Sequence, residues 1–244
     1  LDLRLSKDWV VGMTILLFFY INSWCFVCNP TRSVLKNLHV CQFFSTFAVA
    51  MDYRYEKEDL QQALRVLREG GVILYPTDTI WGIGCDATNE AAVARVYAIK
   101  KRVDTKAMLV LLDGPGKLQG YMDKVPETAW MLLEANEGQR PMTIIYPDAK
   151  NLATNLLAED GSVGIRITQE PFSKALCEQL KHPIVSTSAN ISGEPSALYF
   201  NQISPAIIQQ VDYVCHFRRD DDVISKPSSI IKIDARERIT IIRE

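Results

Sequence analysis

The residues Ser186-Thr187-Ser188-Ala189-Asn190-Ile191-Ser192-Gly193-Glu194-Pro195-Ser196 hold hydroxyls, an amide and a glycine where a core element would hold methyls. They follow a short apolar run, Pro183-Ile184-Val185, that reads as a buried strand. In open α/β sheets, ligands sit beyond the carboxyl ends of strands, so a polar ligand would be held here. The alternative is a Ser/Asn-rich turn with helix-capping residues. A second set, Pro76-Thr77-Asp78-Thr79 with Trp81-Gly82-Ile83-Gly84, also follows a buried strand. Two alcohols and a carboxylate would bind a small polar molecule or close an Asx or ST turn. A third, Lys100-Lys101-Arg102-Val103-Asp104-Thr105-Lys106, packs four cations into seven residues. Such a field suits a polyphosphate, Arg as a fork and Lys as a point charge; it equally suits a solvated helix end. Arg166 closes the apolar strand Val163-Gly164-Ile165, a place that calls for an anion or a structural carboxylate.

The three sets border short buried strands, so one cleft can collect them. Cations, alcohols and an amide without a Ser-His-Asp set favour holding a phosphorylated ligand over hydrolysis. His39, His182 and His216 have no evident catalytic neighbours. The glycines fit neither G-x-G-x-x-G nor, at Gly114-Pro115-Gly116-Lys117, a Walker loop.

The elements that must position these groups follow from periodicity. Leu60, Ala63, Leu64 and Leu67 fall at helical spacing before a Gly70-Gly71 stop. Val72–Tyr75 reads as a strand, and Thr88 or Asn89 caps a second helix with Val93, Val96 and Ile99 inward. Strands are expected at Met108–Leu112, Met142–Tyr146, Val163–Ile167 and Ile184–Ser186. Asp113–Gly116 is a turn, and helices are expected at Glu127–Glu137, Phe172–Leu180 and Ser204–Gln210. Ile230–Ile233 and Ile239–Ile242 form a terminal hairpin. Strands mostly alternating with helices indicate a single α/β domain over 51–244, with a twisted, mixed central sheet flanked by helices.

This combination resembles the YrdC-like family (YrdC/YciO). Its P-T-[DE]-T-x-[YW]-G-[LI]-G reads Pro76 to Gly84 here, and its K-x-R with a further base reads Lys100-Lys101-Arg102 with Lys106. Its P-x-T is Pro141-Met142-Thr143, its V-G-[VI]-R is Val163 to Arg166, and its S-T-S-A-N-x-S-G-E-P-S is Ser186 to Ser196. Pro227-Ser228-Ser229-Ile230 and Ile241-Ile242-Arg243 look like its last two strands. The resemblance implies L-threonylcarbamoyladenylate synthesis from L-threonine, bicarbonate or CO2, and ATP, with Mg²⁺ accompanying ATP and no metal ligated directly by protein. It implies partner proteins that pass the threonylcarbamoyl group to the adenosine at tRNA position 37, a cytoplasmic setting, and double-stranded RNA binding. It assigns Lys100 and Arg102 to catalysis. Thr79, Arg166, Ser186 and Ser228 would meet threonine. Lys100, Arg102, Lys106, Thr143, Ser188, Asn190, Ser196 and Arg243 would meet ATP. Val103 stands where the family's K-x-R-P has proline, and Thr168 where V-G-V-R-x-P has it. These departures keep a YciO-type relative with a different or weaker activity as one alternative; an RNA-binding protein with a nucleotide-binding cleft is the other.

Composition bounds the rest. The chain has 244 residues, 48% hydrophobic and 23% charged, enough for one large domain with a sizeable core. A net charge of −2 gives no global field for nucleic acid, so any RNA binding through the basic cluster is expected to be weak. Cys25 and Cys28 have C-x-x-C spacing without a second pair, which disfavours a zinc site, and the isolated Cys85, Cys177 and Cys215 suit a reducing compartment. Residues 1–50 form a separate, apolar extension: Val10 to Cys28 is nearly uninterrupted, while regular patterning begins after Met51. The expectation is an early start outside the working domain, the alternative a targeting or anchor segment. Without that extension no membrane partner is expected.

Overall fold

A computed structural model describes residues 55–101, 108–221 and 227–244. The expectations for residues 1–50, for Arg102 and for Lys106 fall outside the described residues.

Helix α1, Lys57–Arg68, buries Leu60, Ala63, Leu64 and Leu67 on one stripe. It stops where Gly70 takes φ +77°, a left-handed turn that glycine adopts without steric cost. Strand β1, Ile73–Tyr75, then pairs with β2, Gly82–Gly84, and helix α2, Glu90–Ile99, follows. Asn89 is the cap, its side chain accepting from the Ala92 amide at 3.1 Å; Thr88 donates its hydroxyl to Asp86 instead. Strand β3, Leu109–Leu112, leads into a 3₁₀ turn, Pro115–Gly120, longer than the expected four-residue turn. Helix α3 is Glu127–Ala135, and strands β4 and β5 are Met142–Tyr146 and Val163–Ile167.

Helix α4, Pro171–Leu180, starts with Glu170 accepting from the Phe172 and Ser173 amides, and Pro171 in the first turn lacks an N–H that would need a partner. Strand β6, Ile184–Ser188, runs two residues past its expected end. Helix α5 is only Pro205–Ile208, β7 is Tyr213–Val214, and β8, Ser229–Ile233, and β9, Ile239–Arg243, make the terminal hairpin.

Among the described residues nine strands form one mixed sheet in the order β7-β1-β2-β6-β3-β5-β4-β8-β9. One face is covered by an apolar cluster that includes Leu74, Ile83, Val110, Ile144, Ile165 and Val185, while the edge strand β9 stays exposed. The other face carries a smaller cluster, where α1 and α4 bury Tyr75, Leu111 and Ile184 with Phe172 and Leu176. Side chains alternate along a strand, so Ser186 and Ser188 share this second face with Ile184. The apolar cover ends at Ile184, and the alcohols lie beyond it. Among the described residues, no helix is long and apolar enough to cross a membrane.

Candidate active site

A cavity of about 790 Å³ occupies the uncovered part of the second face. Its wall is assembled across the sheet: Thr79 before β2, Ser186 and Ser188 on β6, Arg166 on β5, Thr143 on β4, Ser228 before β8 and Arg243 on β9. Ser196 joins them from the loop after β6. Register explains the convergence, because Thr143 pairs with Arg166 and Leu109 pairs with Gly164 and Ser186. Paired residues on neighbouring strands point to the same side.

Thr79 sits in a turn whose protons can be counted. The Thr77 hydroxyl donates to the Ile80 carbonyl at 2.8 Å and accepts from the Thr79 amide at 3.0 Å. Having spent its one proton, Thr77 accepts the second hydroxyl contact, so Thr79 Oγ1 donates to it at 3.0 Å. The remaining capacity of Thr79 Oγ1 is its lone pairs, which suit an N–H of a ligand.

Strand β2 enables this arrangement. A Cβ on Gly82 would lie 3.2 Å from Thr77 Cγ2 and 3.4 Å from Ser186 Oγ. One on Gly84 would meet the Val185 carbonyl at 2.4 Å and the Tyr75 ring at 2.6 Å. Tyr75 fills that space, and its hydroxyl donates to the same carbonyl at 3.2 Å.

The charges are unevenly served. Arg166, with a side chain only 3% exposed, meets Asp78 Oδ1 at 2.9 Å. The approach is too oblique for a hydrogen bond, and Arg166 Nε has no hydrogen-bond partner. Burial raises the Asp78 pKa above the ordinary carboxylate value, against the pull of Arg166. Arg243 donates from Nε and Nη2 to the Ser228 carbonyl at 2.9 and 2.7 Å. Burial, then the nearby Arg166 charge, lowers the pKa of its guanidinium. Two guanidiniums within each other's field make this end electropositive, and the Thr143 and Ser228 hydroxyls, 2.9 Å apart, lie beside them. At the other end Lys232 pairs with Asp160 at 2.7 Å. That contact and the Ser162 hydroxyl hold the Asp160 pKa down at about 2.

Two sequence-selected residues are placed differently. Lys100 does not line the cavity: its buried ammonium donates to the carbonyls of Ser188 and Asn190. The Asn190 side-chain amide likewise turns into its own loop, donating to the Ile191 and Glu194 carbonyls. The proximity of these two to the site is therefore through the S-T-S-A-N main chain. Residues that sequence reasoning missed include Lys232, Asp160 and Ser162. Lys232 alternates with Ile231 and Ile233 on β8, a faint signal; Asp160 and Ser162 look like ordinary turn residues. Among the described residues, no three His, Cys, Asp or Glu side chains are grouped to hold a metal.

A family model for Sua5, YciO and YrdC, described as "Telomere recombination", matches residues 65–244. The threonylcarbamoyl-AMP synthase of Stutzerimonas stutzeri is 37% identical over 155 residues, 64% of this chain and 83% of that one. Escherichia coli YciO superposes with a TM-score of 0.67 at 26% identity, over 78% of this chain and 90% of that chain. P. abyssi Sua5 complexed with L-threonine gives a TM-score of 0.65 at 23% identity and covers 72% of this chain. The chain spans about half of that longer protein, 51%. With the family match covering most of its length, the chain belongs to the Sua5/YciO/YrdC family.

Proposed function

We propose that this chain is a threonylcarbamoyl-AMP synthase, making threonylcarbamoyl-AMP and pyrophosphate from L-threonine, bicarbonate or CO2, and ATP. The observation that carries this reading is the cavity: the buried guanidinium of Arg166 and that of Arg243 on the exposed edge strand, with a wall of alcohols on one open sheet face. The relatives named for this activity and the threonine-bound P. abyssi Sua5 lend it support.

The chemistry needs positioning and charge neutralisation more than acid–base catalysis. The threonine amine adds to CO2, one C=O electron pair moving onto oxygen, and releases a proton to solvent to give a carbamate. A carbamate oxygen then attacks the α-phosphorus, and the bond to pyrophosphate breaks. Thr79 Oγ1 accepts from the substrate nitrogen, Arg166 and Ser186 meet the carboxylate or carbamate, and Ser228 closes over threonine. Thr143, Ser188, Ser196 and Arg243 line the nucleotide side. Lys100 and Asn190 hold the end of β6, where Ser188 sits, and the loop that follows it. Arg102 and Lys106 remain proposed phosphate contacts. Mg²⁺ prefers oxygen ligands and usually keeps waters and substrate phosphates around it. The alcohols and Glu159 lining the cavity fit an ion arriving with ATP; it would offset the charge of the departing pyrophosphate. Transfer to tRNA through partner proteins, RNA contact and a cytoplasmic setting follow from the same reading.

The test is pyrophosphate release, omitting one substrate at a time. Release should require L-threonine, bicarbonate and ATP together. Release that persists without threonine would overturn the assignment and favour a YciO-type relative acting on another substrate.

A further inference from the structure

Arg166 carries more donors than the fold gives it acceptors. A guanidinium has five N–H groups, and burying them without acceptors is costly. The ion pair it makes among the described residues is the oblique contact to Asp78, and its Nε stays unpartnered. Asp78 itself does not line the cavity. It stands behind Arg166, in the turn whose flanking residues are Thr77 and Thr79. Arg218 braces that turn, donating from Nη1 to the Thr77 carbonyl at 2.9 Å. Asp78 thus feels two guanidiniums, Arg166 in direct contact on the cavity wall and Arg218 through its field.

We propose that Asp78 is the positioning residue for the amino-acid substrate, fixing Arg166 so that its unspent donors meet the substrate α-carboxylate. The same short turn presents Thr79 Oγ1 as an acceptor for the substrate nitrogen. A single turn thereby fixes the spacing between carboxylate and nitrogen contacts, the feature that identifies an α-amino acid. Asp78 acts through Arg166 and touches no ligand, so its loss should separate amino-acid binding from nucleotide binding. This inference rests on the synthase reading.

The test is calorimetric titration of the full chain with L-threonine and, separately, with ATP and Mg²⁺, for wild type, Asp78→Asn and Asp78→Glu. Asp78→Asn should weaken threonine binding by roughly tenfold or more, the scale of one charge-assisted contact, with ATP affinity within about twofold. Asp78→Glu keeps the charge and should restore most of the threonine affinity. Should Asp78→Asn fail to fold, Asp78→Ser carries the comparison, since it removes the charge but can still close the turn through its hydroxyl; it should show the same split. Unchanged threonine affinity in Asp78→Asn, or equal losses for threonine and ATP, would overturn the role of Asp78 alone. A wild-type chain that binds ATP but not threonine would overturn the synthase reading and this inference with it.

Discussion

Lys100 Nζ donates to the carbonyl of Asn190 at 2.8 Å, tying the end of α2 to the loop after β6. The same ammonium holds the carbonyl of Ser188, the last residue of β6, which pairs with Gly82 of β2. A positive charge this deep is retained only with good acceptors, and these two are main-chain carbonyls.

Lys100→Met should therefore cost stability and activity together, about 2–4 kcal/mol in unfolding free energy, because two carbonyls lose a charged donor. Urea denaturation with a pyrophosphate-release assay checks this. Lost activity at unchanged stability would show instead that Lys100 reaches the phosphates.

Arg243→Ala should raise the KM for ATP about tenfold or more while changing the threonine KM little, since its guanidinium closes the wall beside Thr143 and Ser228. Steady-state kinetics with each substrate varied in turn separates the two. A larger effect on threonine would move Arg243 to the amino-acid side.

Gly84→Ala should destabilise the chain by about 1–3 kcal/mol or more. The added carbon would press on the Val185 main chain and the Tyr75 ring, both in the sheet, so neither can step aside cheaply. A melting temperature equal to wild type would contradict the packing described for β2.

Glu170 caps α4, and burial raises its pKa above the ordinary glutamate value despite the amides it accepts from. Between about pH 4.3, where the unfolded side chain titrates, and that higher folded value, the native chain holds a proton the unfolded chain has released. Stability therefore falls as pH rises through this window and levels off above it. Glu170→Gln should flatten the decline without abolishing it, because Asp78 titrates with the same sign. Denaturation at a series of pH values between about 4 and 7 measures the slope, and an unchanged slope would refute the assignment.

Long apolar runs made most of the architecture legible. β4 and β5 have the bounds that their apolar residues indicate, although Thr143 and Arg166 interrupt them, and α1 follows its leucines. Strand β2 escaped because Gly82-Ile83-Gly84 offers neither branched side chains nor a period; only its neighbours, Tyr75 and Ser186, make glycine necessary there. Tyr213–Val214 is too short to carry a pattern. Within the site, the alcohols stood out as misfits at strand ends. The orientation of Lys100 was not legible, because the same residue type serves a phosphate or a carbonyl, and only the fold decides which lies within reach. Asp78 was visible as part of a polar turn, but its facing of Arg166 depends on strands nearly ninety positions apart.

The cavity floor is drawn from seven adjacent strands, β2-β6-β3-β5-β4-β8-β9, which come from nearly the whole described chain. No fragment can own a fraction of it: ligand binding then reports complete assembly, and partly folded or clipped forms should be silent rather than weak.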